Sequence, residues 1–480
     1  MHKLQLSREI SKDIWDEVWE RLHEFQTNVD TGRTTPRIDV SRITDSIKSV
    51  NLKGGVDARE LVTFAIENLQ ASTIHNQNAS NFGVYGNGVS SLAIVTEAVV
   101  AAFNPQLANW IQSPFASALE TYMIETFGTK FGYEPGKLDG IFTLNEAEAF
   151  QTAILTALNH KIPSFTDEGL SSLPKAPVLY VSKQTHPSFL KAARCCGIGS
   201  AYVTVVPNDR DQYMDTAALD QLIRDDLQKG LTPFMIAGTA GSIISGSIDP
   251  ILEITAIAKH FKLWSHVDVG FGASALFLNN LNVLLEGIEL ADSISFDVAK
   301  FLSLPSDSCV LVTRHAHALH QTFSHDDIYI PADSFAKPTN DYATKSMQWS
   351  RRFAGLKAFT SLAQLGWKEY EQIHRRQCYL AMFLREKLTE GGWTIMNQTH
   401  LPVVCFSKPE YTVQDLSWIN QEVISSGRAW VSLASIDETY CIRASVTNFK
   451  MTELDIIDLV DSLEEATETI WLRQNRIPEM

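Results

Sequence analysis

Lys300 lies in the run SISFDVAKFLSLPSDSCVLVTR, between Ala299 and Phe301 and shortly before the apolar stretch Cys309-Val310-Leu311-Val312. An ammonium is expensive to bury in such a setting. It is either a strand-end lysine whose stem reaches water or an amine kept for chemistry. Two further polar residues share the pattern: Asp268 follows KLWSHV and His186 follows VLYVSKQT. In a parallel α/β sheet, ligands bind at the carboxyl ends of the strands, and that is where these three side chains are expected.

The elements that must position them alternate in type. From about residue 140 to 315, short apolar strands (APVLYVS, AYVTVV, TPFMIAGTAGS, LWSHVDVGFGAS, SCVLVTR) are separated by helical patterns such as HPSFLKAARCCGIG and DPILEITAIAKHF. This rhythm predicts an α/β fold with a mainly parallel sheet covered by helices. Residues 1–80 read as an N-terminal helical arm. SKDIWDEVWERLHEF places Ile14, Val18, Leu22 and Phe25 on one face, and DARELVTFAIENLQ repeats the pattern. An arm with little core of its own must pack on something, most simply a partner subunit. Residues 81–365 are expected to form the large domain and 366–480 a smaller C-terminal α/β domain. The stretch 316–345, with Pro331 and Pro338, reads as a long loop of the kind that forms lids.

Bulk properties exclude several classes. The chain has 480 residues, 45% hydrophobic and 20% charged, as in ordinary soluble proteins. A net charge of −16 argues against a nucleic-acid or anionic-membrane binder. No apolar run approaches the ~20 residues of a membrane span, and the charged start is unlike a signal peptide. The six cysteines lack metal or disulfide spacing, so no metal is expected. Cys195 and Cys196 read as buried free thiols, and a cytoplasmic location is expected.

Lysine, aspartate and histidine at three strand ends would suit pyridoxal 5'-phosphate. The amine would hold the coenzyme, the carboxylate would keep the pyridine nitrogen protonated, and the imidazole would stack on the ring. These residue types alone do not choose that cofactor. Six segments do, by resemblance. SHVDVGFGASALF resembles the HVDAAYAGSA stretch of the group II pyridoxal-phosphate amino-acid decarboxylases. VSKQTHPSFLKAARCCGI is similar to their stacking-histidine segment, and ADSISFDVAKFL to their NPHKWL cofactor-lysine segment. NWIQSPFASALE, QWSRRFAGLKAF and YCIRASVTNFKMTELDI resemble three more, in the family's order, from about residue 80 onward.

The resemblance implies a homodimer of the fold-type I class of pyridoxal-phosphate enzymes, with a composite active site, decarboxylating an L-amino acid to its amine. It implies that Lys300 carries the coenzyme, Asp268 pairs with the ring nitrogen, His186 stacks on the ring, and Gly270 packs against the opposite face. Tyr329 matches the mobile-loop tyrosine that protonates the α-carbon. Phenylalanine there accompanies an oxidative, aldehyde-forming outcome in this family, so tyrosine favours simple decarboxylation. Phe82 and Tyr85, in NFGVYGNGVSS, match the segment that lines the substrate pocket.

The chain departs from its relatives where the coenzyme phosphate belongs. Relatives carry a stretch like GGTEAN or GSASEA at that helix start, where backbone N–H groups favour an anion. Here the run is TLNEAEAF, with Asn145 and Glu146 at the glycine positions and Ala147 at the hydroxyl position. One charge-assisted bond fewer would weaken coenzyme binding by ~1.5–3 kcal/mol, and Glu146 adds a negative charge. Ala299 replaces a histidine, and Ile243 a threonine, although Ser242 keeps a hydroxyl. Asp297, acting through water, is a further candidate near the phosphate. A reshaped site leaves two alternatives open: another reaction at the α-carbon, or a catalytically silent homologue acting as a binding subunit.

Overall fold

The structure is a computed structural model that describes residues 4–173, 175–324 and 341–474; Tyr329 lies outside them. Its contacts divide the chain into two compact units. One comprises Val89–Cys378 with Asn397–Leu401. The other comprises Met1–Gly88, Tyr379–Met396 and Pro402–Met480.

The first unit holds seven strands: β1 (Asp139–Thr143), β2 (Pro177–Ser182), β3 (Val203–Val206), β4 (Thr232–Thr239), β5 (Trp264–Val269), β6 (Ser293–Asp297) and β7 (Cys309–Thr313). Their order across the sheet is β1-β7-β6-β5-β4-β2-β3. All neighbours pair in parallel except β7, which runs antiparallel to both β1 and β6. β1, β2, β5 and β7 are buried along their whole length. Covered on both faces, such strands show apolar runs rather than alternation. Two antiparallel steps across β7 leave β1 pointing the same way as β6. Thr143, Cys309 and Asp297 therefore stand in one row at the sheet edge.

The loops leaving β4 and β5 are stitched together where only glycine fits. Gly241 has φ +92°, and a Cβ on it would stand 2.1 Å from the Gly272 nitrogen. Phe271 and Gly272 donate to the carbonyls of Gly241 and Ala240.

The second unit is built on an antiparallel sheet, with β8 (Thr394–Ile395), β9 (Val403–Ser407), β10 (Ser432–Ile436) and β11 (Thr439–Ser445) in the order β10-β11-β9-β8. The helices Val413–Ser426 and Glu453–Gln474 contribute Ile419, Val423, Leu459 and Leu463 to its core. This grouping differs from the boundaries expected at 80 and 366. Thr34 donates to the Gly427 carbonyl, Phe82 to that of Trp430, and Ser445 to that of Phe82. The N-terminal segment is thereby hydrogen-bonded into the C-terminal one, a long-range pairing that local periodicity does not reveal. The helices Arg8–Asn28 and Ala58–Ser72 bury no residue fully, and Trp15, Trp19 and Leu69 are each about 60% exposed. Cys196 is buried as expected, but Cys195 is exposed, because it closes the helix Ser188–Cys195 on its outer face.

One buried ion pair ties three pieces of the first unit together. Glu120, wholly buried on the helix Pro114–Lys130, bonds Arg351 and accepts the N–H groups of Ala354 and Gly355 at 3.0 Å each. Arg351 also donates to the Phe142 carbonyl of β1 (3.0 Å). Burial pushes the Glu120 carboxyl up, and Arg351 opposes that shift. Breaking a buried pair by removing one partner destabilises strongly. Arg351→Ala is expected to lose about 3–5 kcal/mol, measured as a lower denaturant midpoint, whereas Arg352→Ala, on an exposed pair, should change it by less than about 1 kcal/mol.

Candidate active site

Lys300 is placed by a five-residue helix, Val298–Leu302, that begins as β6 ends. Asp297 caps it, its Oδ1 accepting the Lys300 N–H at 3.1 Å. Beyond the helix, the buried Lys357 ammonium donates to the carbonyls of Pro305 (3.0 Å) and Ser306 (2.6 Å), holding the returning loop. The Lys300 side chain, 23% exposed, turns toward the row at the sheet edge. Its Nζ lies 2.6 Å from Glu146 Oε1 and 3.4 Å from Asp297 Oδ2.

Glu146 is the first residue of the helix Glu146–Lys161, which follows β1. Asn145 caps that helix by accepting the Glu148 N–H (3.1 Å), and Glu148 in return accepts the Leu144 N–H (2.8 Å). This side-chain capping explains why polar side chains replace glycine without loss of the helix start. The first-turn N–H groups of Glu146 and Ala147 have no helical carbonyl within reach, as at any helix start.

Asp268 stands at the end of β5, 5% exposed. Burial pushes its carboxyl well above the usual range, the negative charge of Glu146 adds to this, and Lys300 opposes it. Asp297 is raised by burial too, against the pull of Lys300. Beneath Asp268 runs a buried polar column between β5 and β6. Trp264 Nε1 donates to Ser293 Oγ (2.8 Å), and His266 bonds Ser293 Oγ (2.9 Å) and Ser295 Oγ (3.1 Å). Ser295 Oγ in turn donates to Asp268 Oδ1 (3.4 Å). Burial drives His266 down to about 3, so its ring is neutral. With Trp264 able only to donate, one set of directions satisfies the column: Ser293 gives its proton to Nδ1 of His266, and Nε2–H gives to Ser295. Sequence reading missed this support. Its signal was the period-2 spacing of Ser293, Ser295 and Asp297 on one strand and of His266 and Asp268 on the next.

His186 follows β2. Its Nδ1 accepts the Ser188 N–H (3.2 Å) and lies 2.5 Å from Ser188 Oγ, leaving Nε2 to carry the ring proton. Burial lowers its basicity, while the charges of Glu146 and Lys300 act on it in opposite directions. Gly270 borders the same space: a Cβ built there would meet Glu146 Oε1 at 3.5 Å and the two Asp268 carboxylate oxygens at 3.6 and 3.7 Å. Lys300, Glu146, Asp297, Asp268, His186 and Gly270 thus converge, with Ala147 next along the helix.

Other candidates are placed differently. The Ser242 hydroxyl is 2.9 Å from that of Ser245 and accepts the Ser245 N–H, so it is engaged within its own loop. Ile243 is half-buried beside it, and Ala299 is buried with its N–H donated to the Ser308 carbonyl. Phe82, expected to line a substrate pocket, lies at 0% exposure in the core of the other unit, where its ring packs with Val404, Phe406 and Ile442. That burial leaves Phe82 no exposed surface. Tyr85, in the same unit, is half-buried within the field of the Arg443 cation. Among the described residues, no three His, Cys, Asp or Glu side chains are arranged to hold a metal ion.

A parallel sheet that gathers lysine, aspartate and histidine at its strand ends defines a coenzyme-binding α/β enzyme. The chain matches the pyridoxal-dependent decarboxylase conserved domain over residues 56–408 and belongs to that family. It is 23% identical over 462 residues to 4-hydroxyphenylacetaldehyde synthase of Rhodiola rosea, covering 93% of each chain. It is 28% identical over 322 residues to an acidic amino acid decarboxylase of Bos taurus, covering 66% of this chain and 61% of that one. Its fold superimposes on the crystal structure of Oryza sativa TDC with PLP and tryptamine, with a TM-score of 0.89 at 19% identity, covering 97% and 99% of the two chains. The protein is a pyridoxal-phosphate-dependent amino-acid decarboxylase.

The residues present fit that coenzyme at its ring end. An amine, a carboxyl raised by burial and a half-buried imidazole face one space, and the absence of a side chain at Gly270 keeps that space open. At the phosphate end the helix-start N–H groups are present, and Glu146, the first residue of that helix, adds a carboxylate that pairs with Lys300. Because a Cβ at Gly270 makes only ordinary contacts, Gly270→Ala is expected to fold and to take up coenzyme. Gly270→Leu should keep the wild-type far-ultraviolet circular dichroism while losing the visible absorbance of bound coenzyme.

Proposed function

We propose that Lys300 is the residue that carries pyridoxal phosphate and that the protein uses it to release carbon dioxide from an L-amino acid, leaving the amine. The observation that carries this assignment is the meeting of the Lys300 amine with the buried Asp268 carboxyl and with His186 at the ends of three strands. Bound pyridoxal phosphate supplies a conjugated ring that accepts the electron pair left when the carboxylate departs. Asp268, whose carboxyl burial raises and Lys300 draws back, would pair with the ring nitrogen and hold a proton there. The column through Ser295 and His266 keeps that carboxyl in one orientation. His186 covers one face of the ring space and Gly270 the other. Tyr329, outside the described residues, is assigned the proton delivered to the α-carbon.

The working unit is a homodimer with a composite active site. Support comes from the exposed apolar side chains of the helices Arg8–Asn28 and Ala58–Ser72 and from an apolar groove of about 320 Å³ lined by Val99, Phe103, Phe115 and Phe353. Phe103 and Phe115 are 83% and 69% exposed, more apolar area than a solitary surface ordinarily leaves in water. No helix of the described residues is long and apolar enough to cross a membrane, and a cytoplasmic location rests on the free, scattered cysteines.

Lys300→Ala is expected to abolish carbon dioxide release from every member of a panel of L-amino acids and to remove the borohydride-trapped adduct, while the fold is kept. Retained turnover in that variant would refute the assignment. The likeness to an aldehyde synthase favours a second reading, decarboxylation coupled to oxidation of the substrate amine by dioxygen, with water releasing aldehyde, ammonia and hydrogen peroxide. Tyr329 opposes it. Wild-type protein should therefore yield amine and carbon dioxide in equal amounts without ammonia. Tyr329→Phe should divert product toward aldehyde, read by chromatography of the same reaction.

A further inference from the structure

We propose that Glu146 is a built-in competitor for the coenzyme: as the first residue of its helix it brings a negative charge to the end where a phosphate would be seated, and its carboxylate engages the Lys300 amine. This rests on the assignment of Lys300 as the coenzyme-carrying residue and deepens it.

The sheet makes the pairing. β7 inserts between β1 and β6, so the loops leaving β1 and β6 emerge on the same side, one strand apart. Glu146 is three residues past Thr143 and Lys300 three past Asp297, and their side chains close the gap over Cys309 at 2.6 Å. The ion pair is largely withdrawn from water, at 23% and 12% side-chain exposure, where screening is weak. Glu146 bears on two ends of the site through its backbone and its side chain. It opens the helix Glu146–Lys161, at the end where the helix dipole favours an anion. At the other end it holds the amine. An amine engaged at 2.6 Å must leave its partner before it can attack a carbonyl carbon, and a phosphate entering this seat must come to rest beside a carboxylate. Asp297 lies 3.4 Å from the same amine and Asp268 feels its charge, so the pocket already sets three acidic groups against one ammonium.

Two consequences separate this role from a structural one. Neutralising Glu146 should tighten coenzyme binding rather than weaken it. The gain should also be larger for pyridoxal phosphate than for pyridoxal, which lacks the phosphate.

The test uses full-length protein stripped of coenzyme and titrated with each compound, followed by visible absorbance and by ultrafiltration. Glu146→Ala and the near-isosteric Glu146→Gln are compared with wild type, with circular dichroism confirming the fold of each. Both variants are expected to bind pyridoxal phosphate at least about tenfold more tightly, a change of about 1.4 kcal/mol. Equal or weaker binding by Glu146→Gln would overturn the proposal. A gain of the same size for pyridoxal would overturn its phosphate half. Borohydride trapping separates this failure from that of the underlying assignment. If wild type gives an adduct on Lys300 and the variants bind no better, only the role of Glu146 is lost. If no protein gives that adduct, the assignment of Lys300 falls with it.

Discussion

The side chain of Lys300 has to be kept inside a protein, and much of the first unit is arranged around that requirement. An isolated ammonium withdrawn from water is costly, and here it is met by Glu146 at 2.6 Å and Asp297 at 3.4 Å. The acids carry a cost in turn. Asp268 and Asp297 are both raised by burial, and each feels Glu146 as well as Lys300. Charge is therefore balanced over the cluster rather than in separate pairs, and any group that enters must rearrange all of it.

What holds the cluster is a frame of buried polar contacts distant from the chemistry. Lys357 grips the carbonyls beyond the Lys300 helix, and the Glu120–Arg351 pair grips the end of β1, just ahead of Glu146. The column from Trp264 to Ser295 fixes the orientation of Asp268 from below. Each contact satisfies a group that would otherwise lie unpaired in a dry interior, where the penalty is largest. Precision at the site follows from hydrogen-bond bookkeeping in the core around it.

Glutamate opens the helix that follows β1, the one proposed to receive the coenzyme phosphate. Asn145 capping the Glu148 N–H, with Glu148 holding the Leu144 N–H, maintains the helix start without glycine. The helix that would receive an anion is thus intact, while the residue that opens it supplies an anion of its own.

Much of this was legible along the chain. Strand ends marked by Asp268, Lys300 and His186 follow from apolar runs closed by a polar residue, and β-α-β alternation forces a mainly parallel sheet. The motif order carried the family. Other features were not legible, because they depend on residues far apart in sequence. Phe82 looked like a pocket aromatic until its backbone was seen paired with Trp430 and Ser445, which turns its ring into a core. The N-terminal segment looked like a separate arm until the same long-range hydrogen bonds joined it to the C-terminal sheet. The sequence by itself determined which side chains are candidates for the chemistry and which secondary structure presents them, since both are local properties of residue type and spacing. Only the tertiary structure decided that Glu146 and Lys300 meet, because 154 residues separate them and it is the insertion of one antiparallel strand that brings their loops to the same edge.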